Sequence, residues 1–199
     1  ATPSPPRAAA ARAGLVHLED PEGLLALLYA RASLTQRALL IRAIGHGLGA
    51  QPPPAEEECA RAMAIFDARL AVVEASAQLD DRAELAGFGV WFACGALGRD
   101  WALARLLDVL RLDVKVDQDR GVASQLAEDC SSRPVECLDA LELLIDRGSD
   151  EWFVPGASDL IPAILTKTLP NPACAARVRE IASRLVARGH AADYKRFLA

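Results

Sequence analysis

The sequence predicts an all-α protein of short amphipathic helices stacked as antiparallel pairs. Three observations carry this. Hydrophobic residues make up 52% of the chain, yet much of that is Ala and aromatics are only 5%. Apolar residues recur at the i, i+3, i+4, i+7 spacing of a helix face, with no sustained alternation of the kind pleated strands need. Capping residues, Gly and Pro then cut the pattern into short segments joined by tight connections, which favours antiparallel neighbours.

The elements follow in order. Residues 1–14 (ATPSPPRAAAARAG) have no 7–15-residue apolar core of a signal peptide and do not begin with Met, so they read as a flexible lead-in to an excised fragment of a longer parent protein. Residues 15–199 read as one helical domain, a length able to bury a substantial core. Asp20-Pro21 supplies an N-cap and a Pro at the first helical position, predicting a helix to about Ala32 with Leu24, Leu27 and Leu28 inward. Ser33 and Gln36 form a capping box for a helix that buries Leu40, Ile41, Ile44 and Leu48 and stops at Gly49 and QPPP.

A helix over about 55–77 aligns Cys59, Met63, Phe66, Leu70 and Val73, with Glu56, Glu57 and Glu58 at its dipole-favoured start rather than in a metal site. Asp81 and Glu84 are taken as a second capping box, opening AELAGFGVWFACGALG as the most buried helix because it lacks a polar face. Its Gly87, Gly89 and Gly95 are expected to admit a neighbouring helix, with a ligand or backbone contact as the alternative. GFG is not a GxGxxG motif and follows no strand, so nucleotide binding is discarded there.

Trp101 to Leu112 places Leu103, Leu106, Leu107 and Leu110 on one face, followed by a polar loop, LDVKVDQD. A helix through Val122 and Leu126 comes next, then one from Pro134 burying Cys137, Leu138, Leu141, Leu144 and Ile145 and ending at Gly148. SDEWFVPGA is irregular. The next helix, 159–169, turns Ile161, Ile164, Leu165 and Leu169 inward and tolerates Pro162 in its first turn. Asn171-Pro172 caps the last long helix, whose Val178, Ile181, Ala182 and Leu185 face the core until Gly189. A tail helix, Asp193 to Leu198, docks through Tyr194, Phe197 and Leu198.

Charge and cysteine usage narrow the function. Net charge is −5, but residues 51–170 hold 11 basic and 22 acidic side chains, while 171–199 hold 6 and 2. An acidic middle repels phosphate backbones, so nucleic acid is disfavoured as a partner. No apolar run reaches the roughly 18 residues that cross a bilayer, so no membrane association is expected. Cys59, Cys94, Cys130, Cys137 and Cys174 are odd in number with no CxxC, which favours reduced thiols and a cytoplasmic location. They share no ligand spacing with His17, His46 and His190, and no metal or other cofactor is expected. No GxSxG appears. His46, between Gly45 and Gly47, could line a pocket but reads first as structural or partly exposed, and His190, past the Gly189 cap, reads as serving the helix C-terminus rather than a catalytic role.

One internal echo links LLIDRG at 143–148 to RLVARG at 184–189, an offset of 41 residues. Together with GFGVWFACGALGRDWALARLLDVLRL and the ending CAARVREIASRLVARGHAADYKRFLA, these segments resemble the C-terminal helical arrays of some large multidomain bacterial proteins. The resemblance, over roughly residues 80–199, is to a degenerate HEAT-type array, whose HEAT/armadillo-like α-solenoid has a period of about 40–47 residues. It implies a non-catalytic protein-interaction or scaffold module attached to a longer chain, its partner another protein or a neighbouring domain. The alternative is a HEAT-like DNA-binding or DNA glycosylase enzyme, for which Asp100-Trp101 and Glu151-Trp152 supply suitable residue types. The candidate partner-binding residues are Arg177, Arg184 and Arg188, a stripe expected to face solvent, with Glu180 one turn before Arg184 as its plain intrahelical partner.

Overall fold

The computed structural model describes residues 30–76, 78–117, 119–147 and 159–198, and every regular element among them is helical. The described residues form two compact units that divide between Asp117 and Asp119. The lead-in, the helix predicted through Leu24, Leu27 and Leu28, His17, Gly148 and the SDEWFVPGA segment with Trp152 lie outside the described residues.

The first unit contains α1 (Leu34–Leu48), α2 (Glu56–Ala75), a 3₁₀ helix (Leu79–Gly87), α3 (Phe88–Cys94) and α4 (Arg99–Arg111). The capping box forms at the start of α1: Ser33 Oγ accepts from the Gln36 amide, and Gln36 Oε1 accepts from the Ser33 amide. Ile41, Ile44 and Leu48 are buried as the spacing requires, with Leu40 half-buried. On α2 the inward face is Ala62, Ile65, Phe66, Leu70 and Val73, whereas Cys59 and Met63 are half-buried. Glu58 accepts from the Ala55 amide at 2.7 Å, so one of the three leading carboxylates satisfies a backbone donor at the helix start.

Asp81 and Glu84 do not open an α-helix. They lie within the 3₁₀ helix, whose N-cap is Gln78, and Glu84 turns inward until it is wholly buried. Arg37 of α1 meets it at 3.0 Å and Arg69 of α2 grips both its oxygens. Asp81 accepts from the Ser76 hydroxyl at 2.9 Å and pairs with Arg37, which together hold its carboxyl below the usual aspartate range.

The apolar segment is the buried centre of this unit, but its α-helical part spans only Phe88–Cys94 because Gly95 adopts a left-handed φ of 69° and closes the helix. Phe66, Phe88, Trp91 and Trp101 cluster with ring centroids 4.3 to 6.3 Å apart, joining α2, α3 and α4. Trp91 donates its indole N–H to the Ile41 carbonyl of α1 at 2.7 Å. Gly87 does admit a neighbouring helix, since a Cβ there would sit 3.0 Å from the Arg42 amide nitrogen. Gly89 instead admits the loop after α4, where a Cβ would come within 1.8 Å of the Asp117 carbonyl oxygen. That loop is held rather than merely polar: Val114 and Val116 are buried, the Asp117 amide donates to the Ala86 carbonyl at 2.8 Å, and Arg42 Nε donates to the Asp117 carboxylate at 2.9 Å.

The second unit contains α5 (Asp119–Asp129), α6 (Pro134–Arg147), α7 (Leu160–Thr168), α8 (Pro172–Ala187), α9 (Ala191–Tyr194) and a closing 3₁₀ turn (Lys195–Phe197). Cys137, Leu138, Leu141, Leu144 and Ile145 of α6 are all buried, as are Ile161, Ile164 and Leu165 of α7 and Val178, Ile181, Ala182 and Leu185 of α8. Asn171 caps α8 by accepting from the Ala173 amide at 2.9 Å, with Pro172 at the first helical position. Each of α5 to α8 packs against the next in sequence, and α5 also meets α7 while α6 also meets α8.

Two side chains repeat one device across these pairs. Lys167, near the end of α7, donates to the Ala127 carbonyl in the last turn of α5 at 2.6 Å. Arg188, just past α8, donates to the Ile145 carbonyl in the last turn of α6 at 3.1 Å. Each cation thus meets a carbonyl at the negative end of a helix dipole, that of Ala127 accepting also from the Cys130 thiol at 3.3 Å. In the tail, Tyr194 and Phe197 are buried, but Leu198 is 40% exposed and does not dock. The closing 3₁₀ turn ends at Phe197, and Leu198 lies just beyond it.

Replacing Trp91 by Ala is expected to cost about 3–5 kcal/mol, the range for deleting a buried large aromatic, because it empties the ring cluster and removes the indole bond to the Ile41 carbonyl. Trp91→Phe should cost distinctly less. Urea unfolding of both variants measures the difference.

Candidate functional site

The arginine stripe is the first candidate, and the structure places it against α6. Arg177 reaches Asp139 at 2.7 Å and also pairs with Glu142. Arg184 reaches Glu142 at 3.1 Å and Asp146 at 2.6 Å. Arg184 therefore takes its partners from α6 rather than from Glu180. The cause is a matching row on α6, where Asp139, Glu142 and Asp146 recur at helical spacing. Arg177 and Arg184 are only about a third exposed. Arg188 is exposed, but its guanidinium also returns to α6 through the Ile145 carbonyl. The three residues are brought together as a ladder between two helices.

The second candidate is an open pocket of about 230 Å³ lined by Gly45, His46, Gly49, Val90, Ala93 and Cys94. It lies where the C-terminal end of α1 meets α3, which Gly45 permits by letting the Trp91 ring pass where a side chain would stand, 2.6 Å from its absent Cβ. His46 is half-buried, and burial together with the nearby Arg42 guanidinium lowers its pKa, so the ring stays neutral near pH 7. Cys94 donates its thiol to the Trp91 carbonyl at 3.0 Å, and burial pushes that thiol up, away from thiolate character. A neutral imidazole beside a protonated thiol is not an activated nucleophile–base pair.

The other cysteines divide by depth. Cys59 is half-buried and donates to the Ala96 carbonyl at 3.6 Å. Cys130, Cys137 and Cys174 are fully buried, and desolvation pushes Cys137 up to about 12. Among the described residues no group of three or more His, Cys, Asp or Glu side chains is arranged to hold a metal ion, and no helix is long and apolar enough to cross a membrane.

The aromatic and acidic residues weighed for DNA chemistry have structural surroundings. Trp101 is half-buried, and its indole N–H donates to both oxygens of Asp67 at 3.1 and 3.2 Å; Asp67 also pairs with Arg105 at 2.7 Å, so the carboxylate fastens α2 to α4. Asp100 is exposed at the start of α4. The outward face of α2 is a further apolar surface that the helix-face pattern did not disclose. There Ala60, Ala64, Ala68, Ala71 and Val72 are all exposed, Val72 by 54%, between Glu57 at one end and Glu74 at the other. The missed signal was Ala recurring every fourth residue opposite the Phe66 stripe, which leaves the helix apolar on two sides.

Comparison with models of known protein families, with curated proteins and with solved structures finds no match for this chain.

Two predictions follow from the geometry of the second unit. Arg177→Glu combined with Arg184→Glu sets like charges against Asp139, Glu142 and Asp146, so melting should fall by several degrees, at about 2–4 °C per kcal/mol for a chain of this size. Unchanged melting would mean the ladder carries no stability. At alkaline pH, Cys137 has a folded pKa raised above its ordinary value of about 8.5. Folding then favours the neutral thiol, so its contribution is complete below about pH 8.5 and is lost as pH climbs toward about 12. Urea midpoints taken from pH 8 upward should therefore drop, and Cys137→Ala should flatten the first part of that drop.

Proposed function

We propose that the chain is a non-catalytic protein-interaction or scaffold module, built as a short HEAT-type array within a longer multidomain cytoplasmic protein. The observation that carries this reading is the repeated end-to-end device of the second unit. Lys167 serves the end of α5 from α7, and Arg188 serves the end of α6 from α8. Successive helices paired as α5 with α6 and α7 with α8, each pair laid on the last in the same register, would give these contacts. The α5·α7 and α6·α8 packing agrees with that arrangement, and the LLIDRG and RLVARG echo falls on the ends of α6 and α8. Arrays of this type present extended surfaces to partner proteins.

The chemistry of the candidate residues supports the same reading. Arginines, carboxylates and Trp101 are spent on holding helices together. A HEAT-like DNA glycosylase would want Trp, Asp and Arg directed at nucleic acid along a basic track, and the acidic excess of residues 51–170 opposes one.

The test is site-specific photocrosslinking in cells of the source organism, with the reactive residue at Ala64 or Val72 of α2 and, for comparison, at Arg179 or Ser183 of α8. Protein adducts confined to particular positions, and lost on a charged substitution that leaves melting unchanged, are expected. An absence of protein adducts, with purified protein instead binding duplex DNA in a salt-dependent manner, would replace this reading by the nucleic-acid one.

A further inference from the structure

We propose that Cys59 and Cys94 are a redox-responsive dithiol that closes to a disulfide when a low-molecular-weight disulfide is the oxidant. Cys59 lies in the first turn of α2 and Cys94 is the last residue of α3. The Cys59 sulfur is 3.6 Å from the Ala96 carbonyl oxygen, and Ala96 is two residues beyond Cys94. Between them Gly95, in its left-handed conformation, folds the chain back at the end of α3. Two residues span at most about 7 Å even fully extended. The turn thus brings Cys94 alongside the peptide unit that Cys59 already touches, and a disulfide needs Cα atoms about 4.4–6.8 Å apart. The two thiols are close enough to influence one another electrostatically, Cys59 helping to raise the Cys94 thiol.

Access separates this pair from the remaining cysteines. Both members are half-buried, and Cys94 lines the open pocket beside His46, whereas Cys130, Cys137 and Cys174 have no exposed surface. Burial keeps Cys94 protonated, so Cys59 is the first nucleophile. Its thiolate attacks one sulfur of the small disulfide, the S–S bond breaks, and one small thiol leaves. Cys94 then gives up its proton to solvent and attacks the Cys59 sulfur of the mixed disulfide, expelling the second small thiol. The protein loses two hydrogens, two electrons pass to the small disulfide, and that molecule ends as two thiols. The new bond would tie the first turn of α2 to the end of α3.

The experiment treats the folded chain with oxidised glutathione, quenches by alkylation and maps the cysteines by mass spectrometry. A peptide pair joining Cys59 to Cys94, lighter by two hydrogens, is expected, with Cys130, Cys137 and Cys174 alkylated only after unfolding. Cys59→Ser and Cys94→Ser should each lose the cross-link, and Cys94→Ser should trap a single glutathione on Cys59. The proposal is overturned if both cysteines stay reduced, if the wild-type chain carries separate glutathione adducts with no cross-link, or if the link forms only in denaturant.

Discussion

A carboxylate with no access to water decides how the first unit is assembled. Burying an ionised side chain costs several kcal/mol unless opposite charge and hydrogen bonds meet it. Glu84 is met by Arg37 from α1 and Arg69 from α2, so the 3₁₀ helix can be seated only when both longer helices are already beside it. The aromatic cluster fills space around that hub, and the indole of Trp91 adds a directional bond to α1. A hydrophobic core alone would tolerate some sliding of α1 over the 3₁₀ helix and α3, against which it packs. A buried ion triad does not, because any shift that loses one guanidinium leaves charge uncompensated.

The second unit uses the same functional groups at half-exposed positions, where each pair is worth far less, typically under about 1 kcal/mol. There the ladder of Arg177 and Arg184 against Asp139, Glu142 and Asp146 acts less as a source of stability than as a ruler. Because α6 and α8 each repeat charge at helical spacing, a slip by one turn would move Arg177 and Arg184 off the carboxylates they share. The Ile145 carbonyl taken by Arg188 fixes the same alignment from the helix ends, as the Ala127 carbonyl taken by Lys167 does for α5 and α7.

How much of this the sequence disclosed depended on the range of the interaction. Local signals were readable: Ser33 with Gln36, Asn171 with Pro172, the five buried positions of α6 and the four of α8 follow from spacing and capping alone. Asp81 and Glu84 show why others were not. A Glu three residues after an Asp looks the same whether it caps a helix or lies buried against Arg37 and Arg69, and only contacts 47 and 15 residues away distinguish the two. At Gly89 the second of the two readings holds, a backbone contact rather than a neighbouring helix, and the Asp117 carbonyl that makes it belongs to a loop with no periodicity to announce it. The arginine stripe was correctly seen as a row beside the α8 core face; its partners were missed because the row on α6 was not compared with it.

The latch between Arg42 and Asp117 closes a chain segment 75 residues long, against 43 for the Arg188 contact with Ile145. Closing a longer loop sacrifices more disorder before any contact compensates, although the cost grows only logarithmically. Chains whose contacts are local reach their native arrangement faster than those that must first unite distant segments. The first unit therefore cannot close until Asp117, near its end, is synthesised and Gly89 and Arg42 acquire their covering backbone, while the second, made after it, can form from neighbouring helices as they leave the ribosome. In a longer chain, that delay would leave the α3 surface bare during translation, and Gly89 with it.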